Sequence, residues 1–287
     1  MKKIGFIDYF LDEAHANGFP AMIRENCQAN GRDIDVVYAW AQTSKPNGVD
    51  TAAWCAKHNV QELASIEEVV EKSDYLVVLS PDNPEFHESY SDLALRSGKP
   101  TYIDKTFSPD LHSGVRMFEL AEKFHTPMYS ASALRDCKEL AEYLDDPSVQ
   151  PTLEYVATSG PGKYANYAVH QFEMIVALLG PGASRVKSLS SQHGGFLSIE
   201  YPDQRKASWL QIGASPFQML MQFKNGESQY IPQCGDYFQR QMHALLNFFE
   251  TGKPPVPRAE TLEIMALIDA GRKAIASYDT WIPLEKA

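Results

Sequence analysis

The sequence predicts an α/β fold in two domains: a parallel-sheet domain, then an α+β domain with a largely antiparallel, open sheet. Two observations support this prediction. Up to residue 128, apolar strand-like runs alternate with helical segments, which is typical of parallel strands joined by right-handed crossovers. From residue 129 onward, several strand-like stretches follow one another with turn residues between them, which is typical of antiparallel pairing. We therefore expect domains at 1–128 and 129–287.

Hydrophobic runs and helix-start signals define the elements of the first half. The run Tyr75–Leu79 is continuously apolar, as expected for a strand buried on both faces. Ser65 and Glu68 form a capping box that opens a short helix. Asn17 as N-cap and Pro20 in the first turn would start the first helix. The remaining elements are predicted as strands at 4–7, 34–40, 101–103 and 127–129, and as helices at 86–97 and 110–124.

The second half contains five strand-like stretches between residues 185 and 231. Asn225-Gly226 is a good signal for a two-residue hairpin. Apolar residues alternate with polar ones along this region, which predicts one buried sheet face. That face would be covered by a second copy, in a homodimer or homotetramer, or by the domain's own helices. The alternating residues are Trp209, Phe217, Met219, Met221 and Phe223. The other predicted turns are Gly194-Gly195, Pro202-Asp203 and 214–216, and the helices are 133–144, 167–179, 237–251 and 260–277.

Composition excludes several classes of function. The chain has 26 basic and 37 acidic residues, a net charge of −11, so nucleic acid is not an expected partner. The apolar runs are shorter than the roughly 18–20 residues that cross a bilayer, so no membrane partner is expected. There is no signal-peptide pattern, and we expect a cytoplasmic protein. Its four dispersed cysteines are expected to be free thiols, and no Cys or His pair has metal-ligand spacing.

Polar residues follow four predicted strands, at the sheet edge where parallel sheets bind ligands. Lys105 ends one of these strands, beside Asp104. A lysine next to an acid can polarise or deprotonate a hydroxyl group. We therefore predict that Lys105 marks the mouth of a small-molecule site, and the alternative is an ordinary surface lysine in a loop. The four strand ends are Asp8-Tyr9, Trp40-Ala41, Ser80-Pro81-Asp82 and Asp104-Lys105-Thr106.

Several motifs resemble those of the Gfo/Idh/MocA oxidoreductases, in the same order. Ser80-Pro81-Asp82 … His87 looks like the family's Thr-Pro-Asn/Asp … His segment. Gly98-Lys99-Pro100 … Asp104-Lys105-Thr106 looks like its Gly-Lys-His … Glu-Lys-Pro segment. The stretch 167–173, followed by Leu178-Leu179-Gly180, is similar to its Gly-x-His-x-x-Asp helix and Leu-Leu-Gly. With a further match at 248–255, the resemblance spans most of the chain.

The resemblance implies a Rossmann-like first domain, an NAD or NADP cofactor, and hydride transfer to or from a sugar, polyol or related hydroxy or keto compound. Lys105 would be the catalytic lysine that hydrogen-bonds the reacting oxygen. His170 and Glu173, three apart on one helix face, would bind substrate and relay a proton. Cofactor-binding positions would be Asp8, Tyr9, Phe10, Trp40, Ser80, Pro81, Asp82, His87 and Asp104. Substrate-binding positions would be Arg135, Tyr164, Asn166 and Tyr167.

Some of these residues have a second interpretation. Trp40 could stack on an adenine or belong to the core. Arg135 could bind a substrate carboxylate or pair with Asp136 or Glu139. Tyr164, Asn166 and Tyr167 could equally be ordinary packing or surface residues. The choice between NAD and NADP also stays open, with Thr43, Ser44 and Lys45 as candidates for contact with a 2′-phosphate.

The first loop departs from the family pattern. A dinucleotide site normally carries Gly-x-Gly-x-x-Gly after the first strand, whereas this loop has three carboxylates, Asp8, Asp12 and Glu13. Carboxylates would repel a pyrophosphate. The second hypothesis is therefore a relative that has lost dinucleotide binding and serves as a small-molecule-binding or regulatory protein. A third is another reaction at the same small-molecule site, such as lyase or hydrolase chemistry with a tightly held cofactor.

Overall fold

A computed structural model describes residues 1–190 and 195–287. Gly194, in the turn predicted at Gly194-Gly195, lies outside the described residues. The chain forms two compact units, which are described separately below. Within the described ranges, no helix has the length and apolar character needed to cross a membrane. The first unit comprises Met1–Pro109, Ser113–Ala131 and Gln241–Pro257, and the second comprises Asp110–His112, Ser132–Arg240 and Arg258–Ala287.

The first unit contains a six-stranded parallel sheet in the order β3-β2-β1-β4-β5-β6, which confirms the predicted parallel-sheet fold. Helices connect successive strands. The strands are β1 (Lys2–Asp8), β2 (Ile34–Ala41), β3 (Gln61–Glu62), β4 (Tyr75–Val78), β5 (Thr101–Ile103) and β6 (Met128–Tyr129). The helices are α1 (Ala14–Asn30), α2 (Thr51–His58), α3 (Ile66–Lys72), α4 (His87–Leu95) and α5 (Leu111–Lys123).

The core of this sheet is formed by β1 and β4, whose central side chains are fully buried. Gly5 lets α3 pack closely on β1, because a Cβ at Gly5 would lie 2.5 Å from Val69 Cγ1. Ser65 caps α3 by accepting from the amide of Glu68 at 3.3 Å, as predicted. The Glu68 side chain reaches back to the amide of Ala64 instead of that of Ser65.

The start of α1 corrects the prediction. The helix begins at Ala14, with Glu13 as its N-cap, so Asn17 and Pro20 both lie inside it. The Glu13 carboxylate accepts from the first free amides, and this starts the helix before the expected Asn17 cap. Helix α2 and the two-residue strand β3 were not predicted. Asp50 caps α2 by accepting from the amide of Ala53 at 2.7 Å.

The second unit contains a seven-stranded sheet in the order β12-β11-β7-β10-β9-β8-β13. Among the described strands of this sheet, β7 and β10 pair in parallel and the other pairs are antiparallel, so the sheet is largely antiparallel, as predicted. The hairpin at Asn225-Gly226 is confirmed. The strands are β7 (Leu153–Gly160), β8 (Arg185–Ser188), β9 (Gly195–Glu200), β10 (Lys206–Gln211), β11 (Gln218–Phe223), β12 (Ser228–Ile231) and β13 (Trp281–Pro283). The helices are α6 (Lys138–Leu144), α7 (Tyr164–Leu179) and α9 (Arg258–Ala276). Helix α8 (Tyr237–Thr251) begins in this unit, and from Gln241 onward it belongs to the first unit.

Three predictions for the second half need correction. The helix expected at 133–144 is a 3₁₀ turn, Ala133–Asp136, followed by α6, because Cys137 is extended between them. Strands β7 and β13 were missed. The predicted domain border, between 128 and 129, also differs from the observed units, because Gln241–Pro257 belongs to the first unit. There, Phe249 of α8 stacks on Tyr75 at 4.7 Å between ring centroids.

The alternating apolar residues of the second sheet face its own helices. Trp209 is buried, with Tyr164 and Phe172 of α7 at ring-centroid distances of 5.2 and 6.4 Å. Met219 and Met221 are also buried within this unit. These residues therefore give no support to burial between subunits, and the homodimer or homotetramer stays a prediction.

Candidate active site

Lys105 lies at the carboxyl end of β5 and is almost completely buried, with 8% of its surface exposed. Its Nζ donates to the main-chain oxygen of Pro81 at 3.3 Å. Its main-chain amide donates to Asp104 Oδ1 at 2.8 Å, and the peptide bond from Lys105 to Thr106 is cis. The structure therefore brings together Lys105, Asp104 and Pro81, three of the residues predicted for this site.

Asp104 is paired with a residue that the sequence did not indicate. Its Oδ2 lies 2.5 Å from His15 Nδ1, on the first turn of α1. Burial alone would raise the pKa of Asp104, but His15 and Lys105 outweigh it and hold this pKa below its usual value. Burial would likewise lower the pKa of His15, but the Asp104 carboxylate raises it above the usual range. The two shifts agree on a charged pair with Lys105 alongside.

The loop after β1 places further carboxylates at the same end of the sheet. Asp8 is 1% exposed, and its Oδ1 accepts from the amide of Tyr9 at 2.7 Å and from Ser80 Oγ at 3.0 Å. Burial, followed by the charge of Glu13, raises the pKa of Asp8. Burial also raises the pKa of Glu13 to about 7, although His15 and two amides pull it down. The cations and hydrogen-bond donors nearby thus only partly offset the cost of burying the two carboxylates of this loop.

Aromatic side chains line a cavity of about 780 Å³ at the carboxyl ends of β1 and β2. Tyr9 stacks on Phe86 with centroids 4.8 Å apart, and Phe86 stacks on Tyr90 at 5.3 Å. Trp40 meets Tyr90 edge to face at 5.5 Å. The volume of the cavity is within the range of small-molecule pockets, and its aromatic lining can contact a planar ring. The lining is Tyr9, Trp40, Gln42, Ala64, Ser65, Ile66, Glu67, Phe86, Ser89, Tyr90 and Leu93.

The other predicted cofactor residues have different surroundings. His87 is fully buried, with Leu79 O at 2.5 Å from Nε2 and Phe107 O at 3.0 Å from Nδ1. Burial lowers the pKa of His87, while those carbonyl oxygens favour its protonated form. It therefore joins two loops at the strand ends without offering any exposed surface. Phe10 packs edge to face on Tyr9, and Asp82 is exposed.

In the second unit, a buried cluster forms around the first half of α7. His170 Nδ1 is hydrogen-bonded to Ser132 Oγ at 2.6 Å. Glu173 Oε2 accepts from the main-chain amide of the same Ser132 at 3.0 Å. His170 and Glu173 therefore share a helix face, as their spacing predicts, and both are held by a residue that was not predicted.

Arg135 has other partners than the predicted ones. Its guanidinium bridges Glu173 at 3.0 Å and Glu260 at 2.5 Å, instead of pairing with Asp136 or Glu139. Burial raises the pKa of Glu173, and Arg135 opposes this effect. A guanidinium held by two carboxylates is committed to these ion pairs. Within the described part of the chain, Arg135 is thus placed to position Glu173.

The three remaining substrate candidates differ in exposure. Tyr164 directs its hydroxyl inward and donates to Ile268 O at 2.9 Å, and burial raises its pKa. Asn166 is exposed, and Tyr167 is 41% exposed and stacks against Phe217. Of the three, Asn166 and Tyr167 therefore offer surface to a ligand, together with the partly exposed His170.

Sequence reasoning missed several residues of these two clusters. Phe86 and Tyr90 are four apart on a short helical stretch, and this spacing could have indicated a common aromatic face. Glu260 lies in the first turn of α9, where an acidic residue stabilises the start of a helix. No local sequence pattern indicates that it pairs with Arg135. His15 and Ser132 carried no signal, because their partners are distant in sequence.

No protein-family model matches this sequence, and no curated protein matches it by sequence. Solved structures do match in fold. A UDP-N-acetylglucosamine 3-dehydrogenase from Acidithiobacillus ferrooxidans has 12% identity, 96% and 98% coverage of this chain and that one, and a TM-score of 0.76. A myo-inositol 2-dehydrogenase from Lactobacillus plantarum has 12% identity, 99% coverage of both chains and a TM-score of 0.75. A dehydrogenase from Clostridium difficile has 15% identity, 96% and 99% coverage and a TM-score of 0.72.

These similarities establish the fold. The structural neighbours are oxidoreductases of the Gfo/Idh/MocA type, so the resemblance seen in the motifs is confirmed at the level of the fold. The parallel-sheet unit and the largely antiparallel second sheet are both features of that fold. The roles of individual residues are not transferred by identities this low.

Proposed function

We propose that this protein is an oxidoreductase that transfers a hydride between a nicotinamide cofactor and a sugar, polyol or related hydroxy or keto compound. The observation that carries the proposal is Lys105, a nearly buried lysine beside an ionised Asp104 at the carboxyl end of β5. That end of a parallel sheet is where ligands bind. The fold, shared with dehydrogenases of sugars and polyols, supports the same reaction class.

The proposed role of Lys105 is to hold the reacting oxygen. Its ammonium group donates to the Pro81 carbonyl oxygen and has further protons to donate to a hydroxyl or ketone oxygen. Asp104 fixes the main chain of Lys105, and His15 fixes Asp104. His15, with its raised pKa, is suited to exchange protons with solvent when the oxygen gains or loses one.

On the substrate side, the proposal assigns binding to exposed groups of α7. Asn166, Tyr167 and His170 all have accessible surface and polar atoms that suit sugar hydroxyls. Arg135 and Glu173 act through position, because each is buried in ion pairs. Ser132 links His170 to Glu173 and so restrains the imidazole.

The residues of the first unit fit one end of a nicotinamide dinucleotide. We assign the adenine to the cavity lined by Tyr9, Trp40, Phe86 and Tyr90, whose aromatic side chains can contact a planar ring. The pyrophosphate segment does not fit as the loop stands, because the Glu13 carboxylate occupies the amides at the start of α1. A nicotinamide cofactor, when bound, would supply or accept the hydride.

The mismatch at Glu13 favours a second candidate function. A chain that has lost dinucleotide binding could still bind a small molecule between its strand ends and serve as a binding or regulatory protein. The aromatic cavity would then take a neutral planar ligand. Cofactor binding separates the two candidates, because only the oxidoreductase requires it.

Substitution of Lys105 tests the proposed chemistry. We expect Lys105→Ala to lower turnover by about two to four orders of magnitude, because the reacting oxygen loses its proton donor. Turnover would be followed as formation of NADH or NADPH, with myo-inositol and UDP-N-acetylglucosamine as first substrates. Lys57→Ala, at an exposed lysine of α2, is the control for general effects of lost charge. Near-normal turnover in Lys105→Ala would reject Lys105 as the catalytic group.

A further inference from the structure

We propose that Glu13 determines whether this protein admits the pyrophosphate of a dinucleotide, because its carboxylate is an internal anion in the place that the pyrophosphate would take. The inference rests on the proposed function and deepens it. It assigns to one side chain the difference between this loop and the glycine-rich loop of the family.

An internal carboxylate occupies the start of α1. The helix has 17 residues and is the next element after β1, across the loop 9–13, which is where the pyrophosphate binds in dinucleotide-binding folds of this type. Glu13 is the N-cap, and its carboxylate accepts from the amides of His15, at 2.7 Å, and Ala16. These are the free donors that a phosphate would otherwise use. A phosphate must therefore displace Glu13 or find it uncharged.

Asp8 is a second buried carboxylate in this loop. Asp8 ends β1 and is 1% exposed, and its Oδ2 has no hydrogen-bond partner among residues 1–190 and 195–287. A buried polar oxygen without a partner costs free energy, and a bound group that donates a proton or carries positive charge would relieve that cost. The charge of Glu13 also raises the pKa of Asp8. The loop therefore suits a neutral or cationic group better than a phosphate.

The charged groups that face Glu13 give the direction of its pH dependence. His15 attracts the carboxylate, whereas Asp8 and Asp104 repel it, and the main-chain amide of Lys105 donates to Asp104. Burial is the largest effect, and the pKa of Glu13 is raised to about 7. Glu13 is thus ionised above about pH 7 and protonated below it. The charge on His15 also increases as the pH falls. Both changes favour a phosphate at lower pH.

Two substitutions distinguish the effect of the negative charge of Glu13 from the effect of its side chain occupying the amides at the start of α1. Glu13→Gln keeps the size of the side chain but removes its charge. Glu13→Ser is a short, neutral N-cap that starts a helix well, so the fold is expected to survive. Asp12→Asn is the matched control, because it removes one charge from the same loop. The Asp12 carboxylate accepts from the Asn17 side chain and the amide of Val49, at 3.0 and 2.9 Å, whereas the amides of His15 and Ala16 donate to Glu13.

The experiment is calorimetric titration of the full chain with ADP-ribose, which carries the adenine and pyrophosphate but no nicotinamide. We expect Glu13→Ser to bind ADP-ribose about tenfold or more tightly than the wild type at about pH 8.5, with Glu13→Gln in between. The wild type should bind more tightly at about pH 6 than at about pH 8.5, and this difference should shrink in both Glu13 variants. Asp12→Asn should behave like the wild type. Thermal melting of each variant checks the fold.

The inference would be overturned if the wild type and the Glu13 variants bound ADP-ribose with equal affinity. It would also be overturned if Asp12→Asn gained as much affinity for ADP-ribose as the Glu13 variants. Absence of ADP-ribose binding in every variant at about millimolar concentration would also overturn it. If Glu13→Ser binds ADP-ribose tightly but neither NADH nor NADPH, the inference stands and the proposed function fails. If the wild type binds NADH or NADPH tightly at about pH 8.5 and loss of Glu13 changes nothing, the function stands and the inference fails.

Discussion

Each of the two units buries a group of carboxylates, but they balance the charge in different ways. In the second unit, the Arg135 guanidinium bridges Glu173 and Glu260. In the first unit, the partners of Asp104 and Glu13 are His15, Lys105 and main-chain amides. Arginine keeps its charge at every ordinary pH, whereas histidine and a buried glutamate change theirs near neutrality. The proposed site of the first unit therefore changes its charge near neutral pH, whereas the arginine of the second unit keeps its charge.

Removal of Arg135 should have the largest effect. We expect Arg135→Met to lower the free energy of unfolding by about 3–5 kcal/mol, because two carboxylates, one of them fully buried, lose their cation. Urea unfolding measured by circular dichroism would report this loss.

A surface pair provides the control for Arg135. Arg96 bonds Asp92 four residues away on α4, and both side chains are about two-fifths exposed to solvent, so Arg96→Ala should change the free energy of unfolding very little. Equal losses in the two variants would show that the cluster around Arg135 contributes no more than a surface ion pair.

The next effect concerns pH and Glu13. The folded-state pKa of Glu13 is raised from 4.5 to about 7, so the folded protein holds more protons than the unfolded chain between these values. Its contribution to stability is therefore complete below about pH 4.5 and is lost as the pH rises through about 7. Glu13→Gln should reduce this pH-dependent loss of unfolding free energy by up to roughly 3 kcal/mol, and by less to the extent that solvent screens the charge. Melting temperatures between about pH 5 and 8 would measure it.

Asp136 is an exception in the second unit, because it is a buried acid whose charge also changes near neutral pH. Burial and the charge of Glu173 raise its pKa to about 7, in spite of Arg135 and Arg240. Asp136→Asn should flatten the melting profile in the same direction as Glu13→Gln. Only the Glu13 variant should also change the affinity for ADP-ribose. A profile that neither variant flattens would contradict the assignment of pH sensitivity to these acids.

Local signals made much of the fold predictable from sequence. The run Tyr75–Leu79, the Ser65 cap and the Asn225-Gly226 turn each indicate their structure within a few residues. Lys105 and Asp104 could be placed because strand β5 is short, apolar and clearly bounded. The Glu13 cap was missed because Asn17 followed by Pro20 is the stronger pattern for a helix start.

The rest of the site depends on contacts between residues far apart in the chain. His15 and Asp104 are separated by 89 positions, and Arg135 and Glu260 by 125. Hydrophobic period and turn chemistry do not encode such pairs. The same reason explains why β13 was missed, since Trp281–Pro283 becomes a strand only by pairing with β8.

The most direct test of the proposed function is thermal melting of the wild type at about pH 6 with NADH or NADPH at about millimolar concentration. We expect at least one cofactor to raise the melting temperature, because a ligand that binds the folded state stabilises it, and Glu13 is mostly protonated at that pH. If neither cofactor raises it, in the wild type or in Glu13→Ser, the nicotinamide-dependent function is contradicted.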